Sequence, residues 1–509
     1  MKKLKIPELT SDPTLNIALD TLQNGKQALI FLGTKPSAEK TAEEISRKIK
    51  TDNPELEKLA LDALHALSRP TKQCERLAKC IRKGVAFHHA GLVSEQRNII
   101  ESNFRSGKIK IICCTPTLAY GVDLPAYRAI IRDLKRYSVT GMNWIPILEY
   151  LQMAGRAGRP SFDKQGEAIV ISATPGDKKA IYERYVMGEP EEIFSKLAVE
   201  PVLRTYVLSV IASNFTNTEK EILDFFGKTF WAKQFRDLEA LKAIIIKMLN
   251  LLEEWEFIKL GAKDEFQSAS ELNKAKRISA TLLGKRVSEL YLDPLTAHKL
   301  ILGIRKASGR RISSFAVLQL ISNTLELRPL LTVKMREYDD IQDKLMKHSD
   351  ELPMEEPSLY EAEYEDFLNS IKTAAFFEEW MEEKEEEYLL EKFQIRPGEI
   401  RVKLDIADWL IYSMAEISRI LQFKDLIREF VRLRMRMRYG VREELLSLIR
   451  LKNIGRVRAR KLYYHGLKDI RDIKNAKIEF LTEILGKAIA EDVKNQVGQE
   501  IKEFQEKLE

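Results

Sequence analysis

Five short apolar runs in the first 175 residues constrain the fold most: Gln27 to Leu32, Val85 to His88, Ile109 to Cys114, Ala129 to Arg132 and Ala168 to Ser172. Each has the length of a buried strand. Between them lie stretches with helical composition, such as Ser37 to Ile49, rich in Ala, Glu and Lys. Strands alternating with helices predict an α/β lobe with a parallel sheet covered on both faces. Ligands of such sheets collect at the carboxyl ends of the strands, and that is where the candidate motifs are expected.

The chain has 509 residues, room for three or four domains. A net charge of +7 is mild for this length, so any nucleic-acid surface must be local. The cysteines, Cys74, Cys80, Cys113 and Cys114, form no CxxC pair. That argues against a zinc site or a disulfide scaffold and fits a reducing cytoplasm. No apolar signal core and no 18-residue apolar window is present, so a soluble cytoplasmic protein without a membrane partner is expected.

Three strings carry chemistry. After the third run comes CTPTLAYGVDLP, Cys114 to Pro125. The hydroxyls of Thr115 and Thr117 suit a phosphate, Gly121 permits a tight turn, and Asp123 suits a ribose hydroxyl. After the second run comes GVAFHHAGL, Gly84 to Leu92, with the pair His88 and His89. Such a pair packs or caps more often than it ligates, and with no third ligand nearby no metal is expected. The third string is QMAGRAGRP, Gln152 to Pro160. Arg156 and Arg159 stand among Gly155, Ala157 and Gly158, so neither guanidinium is crowded. Permanent charge and forked donors suit a polyphosphate; the alternative is a basic helix start packing near an acidic neighbour. Between the strings, Arg132 to Tyr150 reads as a β-hairpin.

In this order and spacing, the three strings resemble the second RecA-like lobe of Ski2-like superfamily 2 helicases. The archaeal Hjm-type DNA repair helicases, related to the helicase half of DNA polymerase theta, are similar over nearly the whole chain. The resemblance implies that Arg156 and Arg159 contact the γ-phosphate of ATP, with Arg159 as the finger. Gln152 would line the interface, and Gly121 and Asp123 would hold the ribose. Thr115, Thr117 and the His89 turn would hold the DNA backbone. Tyr137, Val139 and Met142 near the hairpin tip would wedge against the last base pair, as inserted apolar side chains do elsewhere.

The sequence contains no GxxxxGK[ST] loop and no Asp-Glu box at a strand end. A P-loop supplies the amides and lysine that hold the β- and γ-phosphates. Alone, the chain is therefore expected to be a poor ATPase. ATP with Mg2+ would be shared with a missing first lobe. An excised piece, a truncated gene, or half of a split enzyme with a separate P-loop-bearing partner chain would each account for this.

The expected domains are the lobe over 1–175, a connector over 176–197, a winged helix over 198–288, a helical ratchet bundle over 289–440 and a helix-hairpin-helix over 441–509. Thr218 and Glu221 offer a capping box before Ile222 to Phe226. A helix is expected over Leu238 to Leu252, then a strand over Phe257 to Leu260 with a partner in Arg277 to Leu283. The resemblance favours a hinge role for this domain. Asp350 to Glu391 holds 16 acids against two lysines and should be a solvated outer face.

After Pro397-Gly398 a helix is expected over Glu399 to Leu421, with Arg401, Asp405, Asp408 and Trp409 broadly on one face. Trp409 either stacks on a nucleobase or packs in the core. The resemblance makes this the ratchet helix tracking the 3′ tail. Val402 stands where a basic residue is expected seven before the tryptophan, so Arg401 or Lys403 would have to substitute. Arg428 to Arg442 carries six arginines against Glu429 and reads as helix. In LIRLKNIGRVRARKL, Leu448 to Leu462, two helices are expected to meet at Asn453-Ile454-Gly455. This resembles a helix-hairpin-helix that offers amides to a phosphate. Gly455 would form the turn and Arg456, Arg458 and Arg460 would surround it; a structural αα-hairpin is the alternative.

Together these features point to the C-terminal portion of an ATP-dependent 3′→5′ DNA helicase acting on forked or 3′-tailed DNA in repair or replication restart. The direction comes from the resemblance alone. A non-catalytic DNA-binding module and an RNA-remodelling helicase of the same group are the rivals.

Overall fold

The computed structural model describes residues 5–51, 53–67, 69–138, 141–158, 165–172, 174–261, 277–309 and 312–498. The chain divides into two compact units, Met1–Ile193 with Ile395–Arg401, and Phe194–Gln394 with Val402–Glu509.

The first unit is built on a five-stranded sheet: β1 (Ala28–Phe31), β2 (Val85–His88), β3 (Ile111–Cys114), β4 (Arg128–Ile131) and β7 (Glu167–Val170). The order is β2-β3-β1-β4-β7 and every pairing is parallel. Around it run α1 (Pro13–Gln23), α2 (Lys35–Lys48), α3 (Pro54–Leu64), α4 (Lys72–Ile81), α5 (Ser94–Arg105), α6 (Ile147–Ala154) and α7 (Pro175–Ile181). All residues of β1, β2, β3 and β4 are buried, as expected for parallel strands covered on both faces. Arg128 is buried too, because Asp20 and Glu167 accept its N–H groups at 2.5 and 2.6 Å. The hairpin is present as β5 (Lys135–Ser138) and β6 (Gly141–Trp144). Residues 182–193, expected within a polar connector, begin with a helical turn whose Tyr185 is buried and donates to the Ile145 carbonyl at 2.7 Å. The charge of the stretch hid that apolar anchor.

The second unit opens with α8 (Glu200–Ala212), α9 (Glu219–Gly227), α10 (Phe230–Phe235) and α11 (Leu238–Glu254). The antiparallel pair β8 (Ile258–Leu260) and β9 (Ile278–Ala280) follows, then α12 (Leu282–Glu289). The Thr218–Glu221 capping box is formed at the start of α9. Next come α13 (Pro294–Ala307), α14 (Ser314–Ser322), α15 (Tyr338–His348), α16 (Glu363–Met381) and α17 (Glu386–Phe393). The remaining helices are α18 (Pro397–Ile420), whose first turn belongs to the first unit, α19 (Lys424–Tyr439), α20 (Arg456–Tyr464), α21 (Ile470–Asn475), α22 (Ile478–Leu485) and α23 (Lys487–Gly498).

Within the acidic stretch, α16 is largely interior, with Phe367, Ile371, Phe376 and Phe377 buried. Its acids concentrate at the helix ends, so only part of the stretch is an outer face. In α19, Leu426, Phe430, Leu433 and Met437 form the buried stripe at spacings of four, three and four. That periodicity makes the arginine-rich run a helix.

Candidate nucleic-acid and nucleotide interface

The arginine loop does not lie at the carboxyl edge of the sheet. Arg156 accepts from Ala126 N at 2.9 Å through its carbonyl, and Gly158 N donates to Ala126 O at 2.6 Å. Ala126 precedes β4, and Gly158 packs against Gly166, which precedes β7. The loop therefore sits at the amino edge of both strands. The cause is the crossover. The chain leaves β4 at its carboxyl end, forms the hairpin, and α6 must carry it back before β7 can run parallel to β4. The stretch after β3 makes the same return, which brings Asp123 to Arg156.

Arg156 is part-buried. It donates through Nη2 to the Ala119 carbonyl, and its Nη1 lies 3.9 Å from Asp123 Oδ1. Its Nε is buried with no hydrogen-bond partner among the described residues. Asp123 is almost fully exposed, so this ion pair is loose and open to competition. Gly121 takes φ +74°, as its turn requires. Gln152 is half-buried on α6. Arg159 lies outside the described residues.

The Thr115–Thr117 stretch after β3 is compact. Thr115 is buried and its Oγ1 lies 2.9 Å from that of exposed Thr117. The His89 side chain points into the lobe, which leaves its turn, not its ring, to meet a ligand. Its ring is fully buried, stacks on Phe87, and lies 3.0 Å from Glu39 Oε1 through Nε2. Glu39 is a hub that also accepts from Gln73, Arg76 and Arg396. Burial would raise its carboxyl, but the bonds from His89 and Gln73 and the Arg396 charge hold it down at about 2. Burial pushes the His89 imidazole below its ordinary value, against the pull of Glu39. Strand, histidine and small residue were legible in the sequence; the inward direction of the ring was not.

The hairpin has a fixed base, and large side chains are exposed toward its outer end. At the base Lys135 lies over the Trp144 ring at 4.2 Å, Arg136 pairs with Glu149 at 3.0 Å, and Trp144 meets Tyr185 edge-on. Toward the tip Tyr137 and Met142 are cross-strand partners, 82% and 64% exposed. Val139 lies outside the described residues.

On α18, Trp409 is half-buried and its Nε1–H donates to the Leu290 carbonyl at 3.1 Å. Asp408 accepts both forks of Arg434 at 2.9 Å, and that guanidinium covers the Tyr412 ring at 4.8 Å. Arg286 reaches Glu416 at 2.5 Å and the Tyr412 hydroxyl at 3.4 Å. Val402 and Arg401 are exposed, whereas Lys403 is buried and donates to the Pro329 carbonyl at 2.6 Å. Lys403 therefore does not replace the missing surface cation. The partners Arg434 and Arg286 were missed because they come from α19 and α12, whereas Tyr412 stands four residues after Asp408 on α18 itself.

At the C-terminal turn Asn453 takes φ +65° and Gly455 is the N-cap of α20, but a short 3-10 turn over Leu448–Arg450 precedes it in place of an α-helix. Arg458 is exposed and donates to the Asn453 carbonyl at 2.8 Å. Arg460 is instead an internal residue of the unit, paired with Glu383 and with Glu444, the latter at 2.9 Å. Arg456 donates to the Lys384 carbonyl and lies over the Trp380 ring at 5.4 Å. The preceding acidic stretch supplies Glu383, Lys384 and Trp380, a pairing across more than 70 residues that composition could not reveal.

A parallel sheet carrying the arginine loop and hairpin, followed by a helical unit, defines the class of helicase C-terminal portions. The "Helicase conserved C-terminal domain" model matches residues 66–161, and "Archaeal helicase, domain 4" matches residues 315–440. The chain is 39% identical over 494 residues to the ATP-dependent DNA helicase Hel308 of Pyrococcus horikoshii, covering 96% of this chain and 66% of that protein. It is 39% identical over 503 residues to Hel308 of Methanocella arvoryzae, covering 96% and 65%. It is 34% identical over 532 residues to Hel308 of Methanococcus vannielii, covering 97% and 69%. The chain belongs to the Hel308 family of Ski2-like superfamily 2 helicases. It spans about two thirds of the length of these curated relatives. Among the described residues no helix is long and apolar enough to cross a membrane.

Proposed function

We propose that this chain is the DNA-engaging portion of an ATP-dependent 3′→5′ DNA helicase that works on forked or 3′-tailed DNA in the cytoplasm. The P-loop lobe would come from elsewhere in a longer polypeptide or from a partner chain. The observation that carries the proposal is the hairpin: an exposed Tyr137–Met142 pair on an anchored base, in a lobe that matches a helicase family model. A protein that only bound DNA would have no use for an exposed wedge in a lobe that also carries an arginine loop.

The residues present fit ATP from one side. Arg156 offers a part-exposed guanidinium whose close carboxylate Asp123 is solvated, so phosphate oxygens can replace it. Arg159 completes the pair, Gln152 lines the interface, and Gly121 and Asp123 hold the ribose. Bound Mg2+-ATP would supply the phosphoryl-transfer energy for translocation; the nucleotide's P-loop contacts are not in this sequence. On DNA, Thr115 and Thr117 face the backbone, Trp409 and Arg401 meet the tail, and the Gly455 turn with Arg458 takes a phosphate. Residues 198–288 act as a winged-helix hinge, 289–440 as the ratchet and 441–509 as a helix-hairpin-helix. The residues 1–175 act as the second RecA-like lobe.

The test supplies a P-loop lobe, fused or in trans, and measures unwinding of a fork with a 3′ tail. DNA-stimulated ATPase and fork opening are expected. DNA binding without either activity would overturn the helicase reading and favour a non-catalytic binding module, a role that the absent P-loop would suit. Equal unwinding of RNA forks would favour the remodelling class.

A further inference from the structure

Tyr291 is 84% exposed, yet its backbone takes φ +57°, a conformation that favours glycine. It stands at the position just past the C-cap of α12, where a left-handed residue closes the helix. Its N–H reaches the Ser288 carbonyl at 3.1 Å, and that of Leu292 reaches Val287 at 3.3 Å. Glycine would make the same turn without strain, and a side chain so exposed regains nothing by burial. Strain that the fold does not need points to function.

The turn is also held rigid from both sides. Leu290 and Leu292 are buried. The Leu290 carbonyl accepts the Trp409 indole N–H, and Asp293 is gripped by two N–H groups of the buried Arg204. One hydrogen bond thus ties the backbone beside Tyr291 to the aromatic ring proposed to meet the tail. Arg286 and Arg434, which surround the Trp409 helix, are set among Glu289, Glu416 and Asp408. These carboxylates neutralise the surface locally, so a ring face rather than net charge is what the site offers a strand.

We propose that Tyr291 is a second base-stacking residue for single-stranded DNA, presented beside Trp409 by a deliberately strained turn. This rests on the DNA-binding reading above. A nucleobase is the occupant, since every base offers a π-face to a rigid aromatic ring whatever its sequence.

The full chain is titrated with a 3′-tailed oligonucleotide carrying 2-aminopurine, with a blunt duplex as control. Wild type is expected to prefer the tail and to quench the fluorophore. Tyr291→Gly and Tyr291→Asn, which both suit the left-handed turn, are expected to lose about tenfold or more in affinity for the tail and to lose the quench. Both should melt no lower than wild type. Tyr291→Phe should bind as wild type does. The proposal is overturned if Gly and Asn variants bind normally, if their losses follow a fall in melting temperature, or if Phe fails as badly as Gly. A wild-type chain with no preference for the tail would overturn the DNA-binding reading itself.

Discussion

Gly398 N donates to the Gly91 carbonyl at 3.0 Å, joining the first turn of α18 to the turn that follows the histidine pair within the first unit. Both residues sit where a side chain would collide, Gly398 with backbone and Gly91 with a side chain. A Cβ on Gly398 would meet the Leu92 carbonyl oxygen at 2.4 Å and that of Ala90 at 2.5 Å, and one on Gly91 would meet Arg396 Cδ at 2.3 Å. The Arg396–Glu39 and Lys35–Glu399 pairs close the same contact.

Gly398→Ala is therefore expected to destabilise the first unit by about 1–3 kcal/mol, since backbone oxygens cannot move aside as a flexible side chain does. Thermal unfolding checks this. An unchanged melting temperature would mean that the turn opens without cost.

Acid should weaken the same region. The Glu39 carboxyl is held at about 2 against an ordinary 4.5. Its contribution, about 3 kcal/mol, is full above pH 4.5 and lost as pH falls toward 2. His89 is depressed below 6.5, so the unfolded chain takes up its proton first and stability begins to fall below that pH. The two effects have the same sign. Denaturation from pH 7 to 3 should show a fall that Glu39→Gln flattens at its acid end.

Tyr137→Ser with Met142→Ser should leave stability within about 0.5 kcal/mol, because neither side chain is buried. In the protein completed by a P-loop lobe, strand separation should fall sharply while ATP turnover on single strands persists. Loss of both activities together would argue against a wedge.

In the same completed protein, Arg156→Ala should lower DNA-stimulated ATP turnover about a thousandfold if the guanidinium meets the transferring phosphoryl group. Asp123→Ala separates the roles. It frees the guanidinium from its loose pair and removes the proposed ribose acceptor, so nucleotide affinity rather than turnover should change.

Two neighbouring arginines should behave differently. Arg458→Ala is expected to keep the melting temperature and reduce the salt slope of DNA binding by about one. Arg460→Ala breaks ion pairs to Glu383 and Glu444 and should lower the melting temperature.

Period and composition were enough for the five parallel strands, the hairpin between the fourth and the last, and the helices over 219–227, 238–254 and 397–420. Those signals are local: strand-length apolar runs, a capping box, a Pro-Gly break. The family was legible for a similar reason, since QMAGRAGRP and CTPTLAYGVDLP are contiguous strings whose spacing survives without coordinates.

What the sequence could not determine is direction and partnership. His89 turns inward because Glu39, fifty residues earlier, waits in the interior. Arg460 is spent on Glu383, and Lys403 on the Pro329 carbonyl, through contacts that only chain folding creates. The arginine loop lies at the amino edge because a crossover must return before a parallel strand can start. Tyr291 reads as an ordinary aromatic until its backbone angle is known. Residue type sets what a side chain can do; the tertiary structure decides which side chains are already occupied and which still face solvent.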